Sequence, residues 1–135
     1  MKTLLWIDDT RNPFEDLWGE TFSPIVPEEL GHIEWVKSYK KFIEYINENG
    51  LPDAICFDHD LGMDVALEAR SKGMSKRKSR ELKQQEKTGF DCAKWLVDYC
   101  IDNNKQLPLY NIQSANPVGK ENIDKLLKNY LKNKL

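Results

Sequence analysis

Two acidic clusters in this sequence have the types and spacing for chemistry, Asp8-Asp9 and Asp58-His59-Asp60. Each closes an apolar run, Thr3-Leu4-Leu5-Trp6-Ile7 before the first and Ala54-Ile55-Cys56-Phe57 before the second. Carboxylates set side by side repel each other unless a cation or a shared proton compensates. A hard divalent cation, Mg²⁺ or Mn²⁺, is the natural occupant of such an all-oxygen cluster. Asp8, Asp9 and Asp58 are its candidate ligands. Asp60 and His59 add proton-transfer groups, since an imidazole titrates near neutral pH. Strand alternation would turn His59 away from Asp58, and in that arrangement it is structural.

Further candidates are phosphate binders. Arg11 follows the first acidic pair and is able to clamp a phosphate bidentately, or to pair with Asp9 or a carbonyl. The stretch Ser114-Ala115-Asn116-Pro117-Val118-Gly119-Lys120 joins a strand end to a helix start. N–H groups at a helix N-terminus attract phosphate, and Ser114, Asn116 and Lys120 would add to that pull. Asn116 also suits a plain helix cap with Pro117 at the first helical position. His32, in an expected loop among polar residues, has no such context.

The elements that must position these residues are legible from periodicity. Residues 3–7, 33–36, 54–57 and 109–113 read as strands. Ser38 caps a helix expected over Tyr39 to Asn49, which Gly50 ends. An amphipathic helix is expected from Gly89 to Ile101, and a last one from Pro117 or Gly119 to Lys132. Prolines keep any helix in residues 14–31 short. Alternating strands and helices imply a mostly parallel sheet in a three-layer α/β domain, with four main strands in the order second-first-third-fourth. In such sheets ligands bind beyond the carboxyl ends of the strands, where both acidic clusters fall.

The chain's 135 residues suit one domain, 1–135. No apolar run approaches the ~20 residues of a membrane span. The N-terminus has no secretory pattern, so a cytoplasmic location is expected. Cys56, Cys92 and Cys100 lie in apolar segments and read as buried free thiols. No cysteine–histidine spacing fits zinc. Charge is segregated: residues 1–60 hold 13 acids and 5 bases, whereas residues 63–87 hold 8 bases and 4 acids. The latter segment is poor in apolar residues. It reads as a basic insertion, partly helical or mobile, that reaches an anionic ligand near the site or is simply solvated.

In order along the chain, Asp8-Asp9-Thr10-Arg11-Asn12-Pro13, Phe57-Asp58-His59-Asp60-Leu61-Gly62, the Thr88-Gly89 helix start and Ser114-Ala115-Asn116-Pro117 resemble one known group. The pattern is similar to receiver domains and, more closely, to the cyclic-phosphate processing receiver domains, some of which occur in bacteria and their phages. The resemblance implies a receiver-like fold, from which this sequence departs: receivers have a fifth strand followed by Lys-Pro, whereas here a helix follows the fourth strand. The resemblance also implies a bound divalent metal and a substrate that is a nucleotide or RNA end bearing a cyclic phosphate, in the host cytoplasm if the chain is phage-encoded. Gln113 stands where many members have His. The expected activity is metal-dependent hydrolysis of that cyclic phosphate. The alternative is a non-catalytic regulatory or nucleotide-binding module, with Asp58 as its candidate phosphorylation site. A haloacid-dehalogenase-like phosphatase also uses Asp-x-Asp after a strand, but usually after the first.

Overall fold

The apolar runs ahead of the acidic clusters form the two central strands of the sheet. A computed structural model describes residues 1–133, with every side chain but that of Asp64. The strands are β1 (Lys2–Ile7), β2 (Leu30–Val36), β3 (Ala54–Phe57) and β4 (Leu109–Ile112). All pair in parallel, in the order β2-β1-β3-β4, and no fifth strand occurs among the described residues. In register, Leu4 lies beside Ala54 and Ile7 beside Phe57, so β1 and β3 end level. The ladder runs one residue further: Asp58 N–H donates to the Ile7 carbonyl at 2.9 Å, and Asp8 N–H to that of Val36 at 3.1 Å. Strand alternation and this register set Asp8 and Asp58 next to each other.

Crossover handedness explains how the helices divide between the faces. The step from β1 to β2 goes one way across the sheet, and the steps to β3 and β4 go the other. Right-handed crossovers then put the first connection on one face and the later ones on the opposite face. The first carries a single 3₁₀ turn (Glu15–Leu17) and the short α1 (Trp18–Phe22), whose Trp18 and Phe22 cover Leu4, Trp6, Ala54 and Cys56. The opposite face holds the larger core. There α2 (Tyr39–Asn49), α5 (Gly89–Asp102) and α6 (Pro117–Asn133) bury Phe42, Leu96, Ile123 and Leu127 against Leu5, Ile7, Ile55 and Phe57. The strand order reverses between β1 and β3, which opens a crevice at their carboxyl ends.

Local caps fix the helices. Ser38 accepts from the Lys41 N–H at 3.1 Å, and Gly50 ends α2 at φ 81°. Thr88 and Asp91 form a reciprocal capping box at the start of α5.

One region differs from expectation. β2 begins at Leu30, which draws His32 out of the expected loop into an exposed stretch of strand, 3.1 Å from Glu34. Pairing with β1 overrides the polar sequence there. Residues 63–87 form two helices packed on each other, α3 (Met63–Ser71) and α4 (Lys76–Gln85). The three cysteines are buried and no disulfide joins them, and burial pushes the Cys56 thiol up to about 12. Among the described residues no helix is long and apolar enough to cross a membrane.

Candidate functional site

Asp8, Asp9 and Asp58 each offer a carboxylate oxygen within 4.8 Å of the other two. That separation is about twice a metal–oxygen distance, so one cation can touch all three. Asp8 is fully buried. Its Oδ1 accepts the backbone N–H groups of Thr10, at 3.0 Å, and Arg11, at 2.9 Å. Its Oδ2 is buried without a hydrogen-bond partner among the described residues. A buried carboxylate oxygen left unpaired is costly, and a cation resolves that cost. The donors are hard oxygens throughout, so the residues fit Mg²⁺ or Mn²⁺.

Electrostatics agree with the geometry. Burial, then the charges of Asp8 and Asp9, push the Asp58 carboxyl up to about 7. The His59 N–H, which donates to Asp58 Oδ1 at 2.9 Å, and the Arg11 guanidinium pull the other way. Burial also raises Asp9, with a further push from Asp8 against the Met63 N–H and Lys83.

A cavity of about 190 Å³ opens over Asp9 and Asp58, with Thr10, Arg11, Asp60 and Lys83 among its other walls. Asp60 is on its rim, and its Oδ1 is 2.8 Å from His59 Nδ1. The His59 ring leans on the start of α6. A Cβ added at Gly119 would be 2.3 Å from His59 Cγ, so the ring fits because that position is glycine. Asn116 does both things the sequence suggests. Its Oδ1 caps α6 by accepting the Gly119 N–H at 3.0 Å, and its amide is 3.5 Å from both His59 Nδ1 and Asp60 Oδ1.

The remaining expected phosphate binders divide. Arg11 faces the acids, but it also takes the carbonyl alternative, since its Nη1 donates to the Gln113 carbonyl. It stacks over Trp18 as well, 4.9 Å from the ring centroid. A guanidinium has five N–H groups, so that bond does not exhaust it. Ser114 is not a wall of the cavity. Its hydroxyl accepts the Asn116 N–H at 3.1 Å and shapes the turn, and Ala115 lines the cavity instead. Lys120 is also outside it, because the first turn of α6 points this side chain to a separate cavity between β4 and α6.

The basic segment contributes more than expected. The Met63 N–H at the start of α3 donates to Asp9 Oδ2 at 2.6 Å, so a strand-end carboxylate caps this helix from a distance. α4 then folds back over Gly62: a Cβ there would be 2.5 Å from the Lys83 carbonyl oxygen and 2.4 Å from Lys83 Cγ. This close approach brings Lys83 into the cavity wall. In the sequence Lys83 is one of eight bases with no local mark. Its only hint is Gly62, two residues after the acidic cluster.

Among curated proteins none matches this sequence. A solved structure in which the yeast Spc42 trimeric coiled coil, amino acids 181–211, is fused to a second structure is similar, with a TM-score of 0.51 and 18% identity. The likeness covers 93% of this chain and 60% of that one, and at this identity it speaks for the fold alone. The family model for the cyclic-phosphate processing Receiver domain matches residues 3–129, which include both acidic clusters and, but for Lys2, all four strands. This chain belongs to the cyclic-phosphate processing Receiver family.

Proposed function

We propose that the protein hydrolyses a cyclic phosphodiester on a nucleotide or RNA end, with a divalent cation, Mg²⁺ or Mn²⁺, held by Asp8, Asp9 and Asp58. The observation that supports this most is the three-carboxylate cluster with its unpaired Asp8 Oδ2, set at the switch point of the sheet. When bound, the cation supplies positive charge that polarises the phosphoryl group. Arg11 and Lys83 flank the cavity and hold the non-bridging phosphate oxygens. Water adds to phosphorus while one ring P–O bond breaks, so one proton must pass from the water to the leaving oxygen. Asp60 on the rim takes that proton and returns it, and His59 and Asn116 hold the Asp60 carboxylate in place.

The test is incubation with Mn²⁺ or Mg²⁺ and a panel of 2′,3′-cyclic, 3′,5′-cyclic and cyclic oligonucleotides, with products read by chromatography. Ring opening that disappears in the Asp8→Asn, Asp58→Asn double variant is the expected result. No turnover of any member would overturn the proposal.

One observation favours a second reading, a regulatory module phosphorylated on Asp58. Receivers use a lysine after the fifth strand, and Lys83 brings a lysine to the cavity that Asp58 lines. Labelling of Asp58 by a small acyl phosphate, with no ring opening, would select this reading.

A further inference from the structure

Beside the carboxylate cavity is a second one of about 440 Å³, between the Asp60-Leu61-Gly62 turn and α4. The two share two walls, Asp60 and Lys83. They are therefore adjoining compartments of one cleft, with an acidic floor in the smaller and a mixed wall in the larger. Arg80, Gln84, Glu86 and Thr88 complete the larger one. Its volume falls in the range of small-molecule sites, whereas the smaller has room for little beyond a phosphate and its water.

The wall chemistry narrows what would enter. Gln84 carries both donors and acceptors, which suits the edge of a base. The Arg80 guanidinium is a planar cation of the kind that stacks on bases. Glu86 and Asp60 are acceptors for hydroxyl groups such as those of a ribose. Lys83, between the two compartments, sits where a phosphate joins its sugar.

We propose that this larger cavity is a nucleoside subsite, which receives the base and sugar of a cyclic nucleotide whose phosphate lies over Asp8, Asp9 and Asp58. The inference rests on the function proposed above and adds the source of selectivity. The cleft binds a cyclic phosphate through its nucleoside, and α4 is the element that reads it.

The test is calorimetric titration, in Mn²⁺, with adenosine 2′,3′-cyclic monophosphate and with ethylene phosphate, a five-membered cyclic phosphodiester without a nucleoside. The parent protein is expected to bind the nucleotide at least about tenfold more tightly, as one well-placed base contact provides. Gln84 is on the exposed side of α4, so Gln84→Trp fills the cavity without touching the core. That variant should erase the difference while leaving ethylene phosphate and Mn²⁺ affinities unchanged. Arg80→Ala, which only removes atoms, should lower nucleotide affinity alone. Equal binding of the two ligands by the parent, or unchanged nucleotide affinity in both variants, overturns the subsite while the hydrolysis proposal stands. Binding of Mn²⁺ but of neither cyclic ester overturns that proposal, and the subsite with it.

Discussion

On the floor of the cleft, Asp8, Asp9 and Asp58 leave the ends of two paired central strands. The backbone N–H groups of Thr10, Arg11, Met63 and His59 hold their oxygens. The wall made by α3 and α4 is exposed along most of its length and buries little apolar surface. Two contacts near the site tie it down, Asp9 with Met63 and Gly62 with Lys83. A buried floor with fixed oxygens suits a metal and a reacting phosphate, which need exact distances. A weakly anchored wall suits recognition, because it changes residue by residue without cost to the core. The division predicts that floor and wall are separable by mutation.

The largest effect should come from Gly89→Ala. Its Cβ would be 1.8 Å from the Asp58 carbonyl oxygen, a backbone atom that cannot swing aside. A loss of about 3 kcal/mol or more is expected in chemical denaturation, with Mn²⁺ affinity falling as Asp58 shifts. Stability close to the parent's would mean that the floor is softer than its hydrogen bonds imply.

The Asp8→Asn, Asp58→Asn double variant should abolish Mn²⁺ binding in calorimetry and raise the melting temperature in metal-free buffer, because mutual repulsion is relieved. Parent-like Mn²⁺ affinity would remove the floor's assigned role.

Gly62→Ala tests the wall. Its Cβ meets Lys83 at both side chain and backbone, so α4 must move away, at a cost of about 1–3 kcal/mol. Nucleotide affinity should fall while Mn²⁺ binding persists. Loss of both together would show that floor and wall are one unit.

The pH response is smaller and has a definite sign. Asp58 is raised in the folded protein from 3.8 to about 7. This group's contribution to stability is full below the unfolded value and is lost as pH rises through about 7. The metal-free protein should therefore melt at lower temperature as pH climbs from about 5 to 8. Mn²⁺ affinity should climb over the same range, because cation and proton compete for the carboxylates. Asp58→Asn should flatten both curves. The smallest effect belongs to Lys83→Met, which should weaken phosphate binding about tenfold or less and leave stability unchanged.

The floor was legible in the sequence and the wall was not. β1 and β3 announce themselves as short apolar runs that stop on acids, and register does the rest. α2 was readable to its ends because Ser38 and Gly50 mark them. α3 and α4 lack the apolar stripe that marks a helix from sequence, and their docking depends on a long-range bond, from Met63 to Asp9. Lys83 was hidden among like charges for the same reason. Ser114 and Lys120 looked suitable by position, but one hydroxyl serves its own turn and one helical phase points the other side chain elsewhere. Arg11 and Asn116 each fulfil a structural and a site-facing reading, which spacing alone cannot separate.

Asp9 has a consequence outside chemistry. The carboxylate that would share a cation is also the clasp on the first turn of α3. Charge drawn from it toward a cation loosens its hold on the Met63 amide. The Met63 N–H therefore works as an internal gauge of occupancy: its rate of hydrogen–deuterium exchange should rise when the cluster is loaded, and a helix on the surface would report the state of a buried floor.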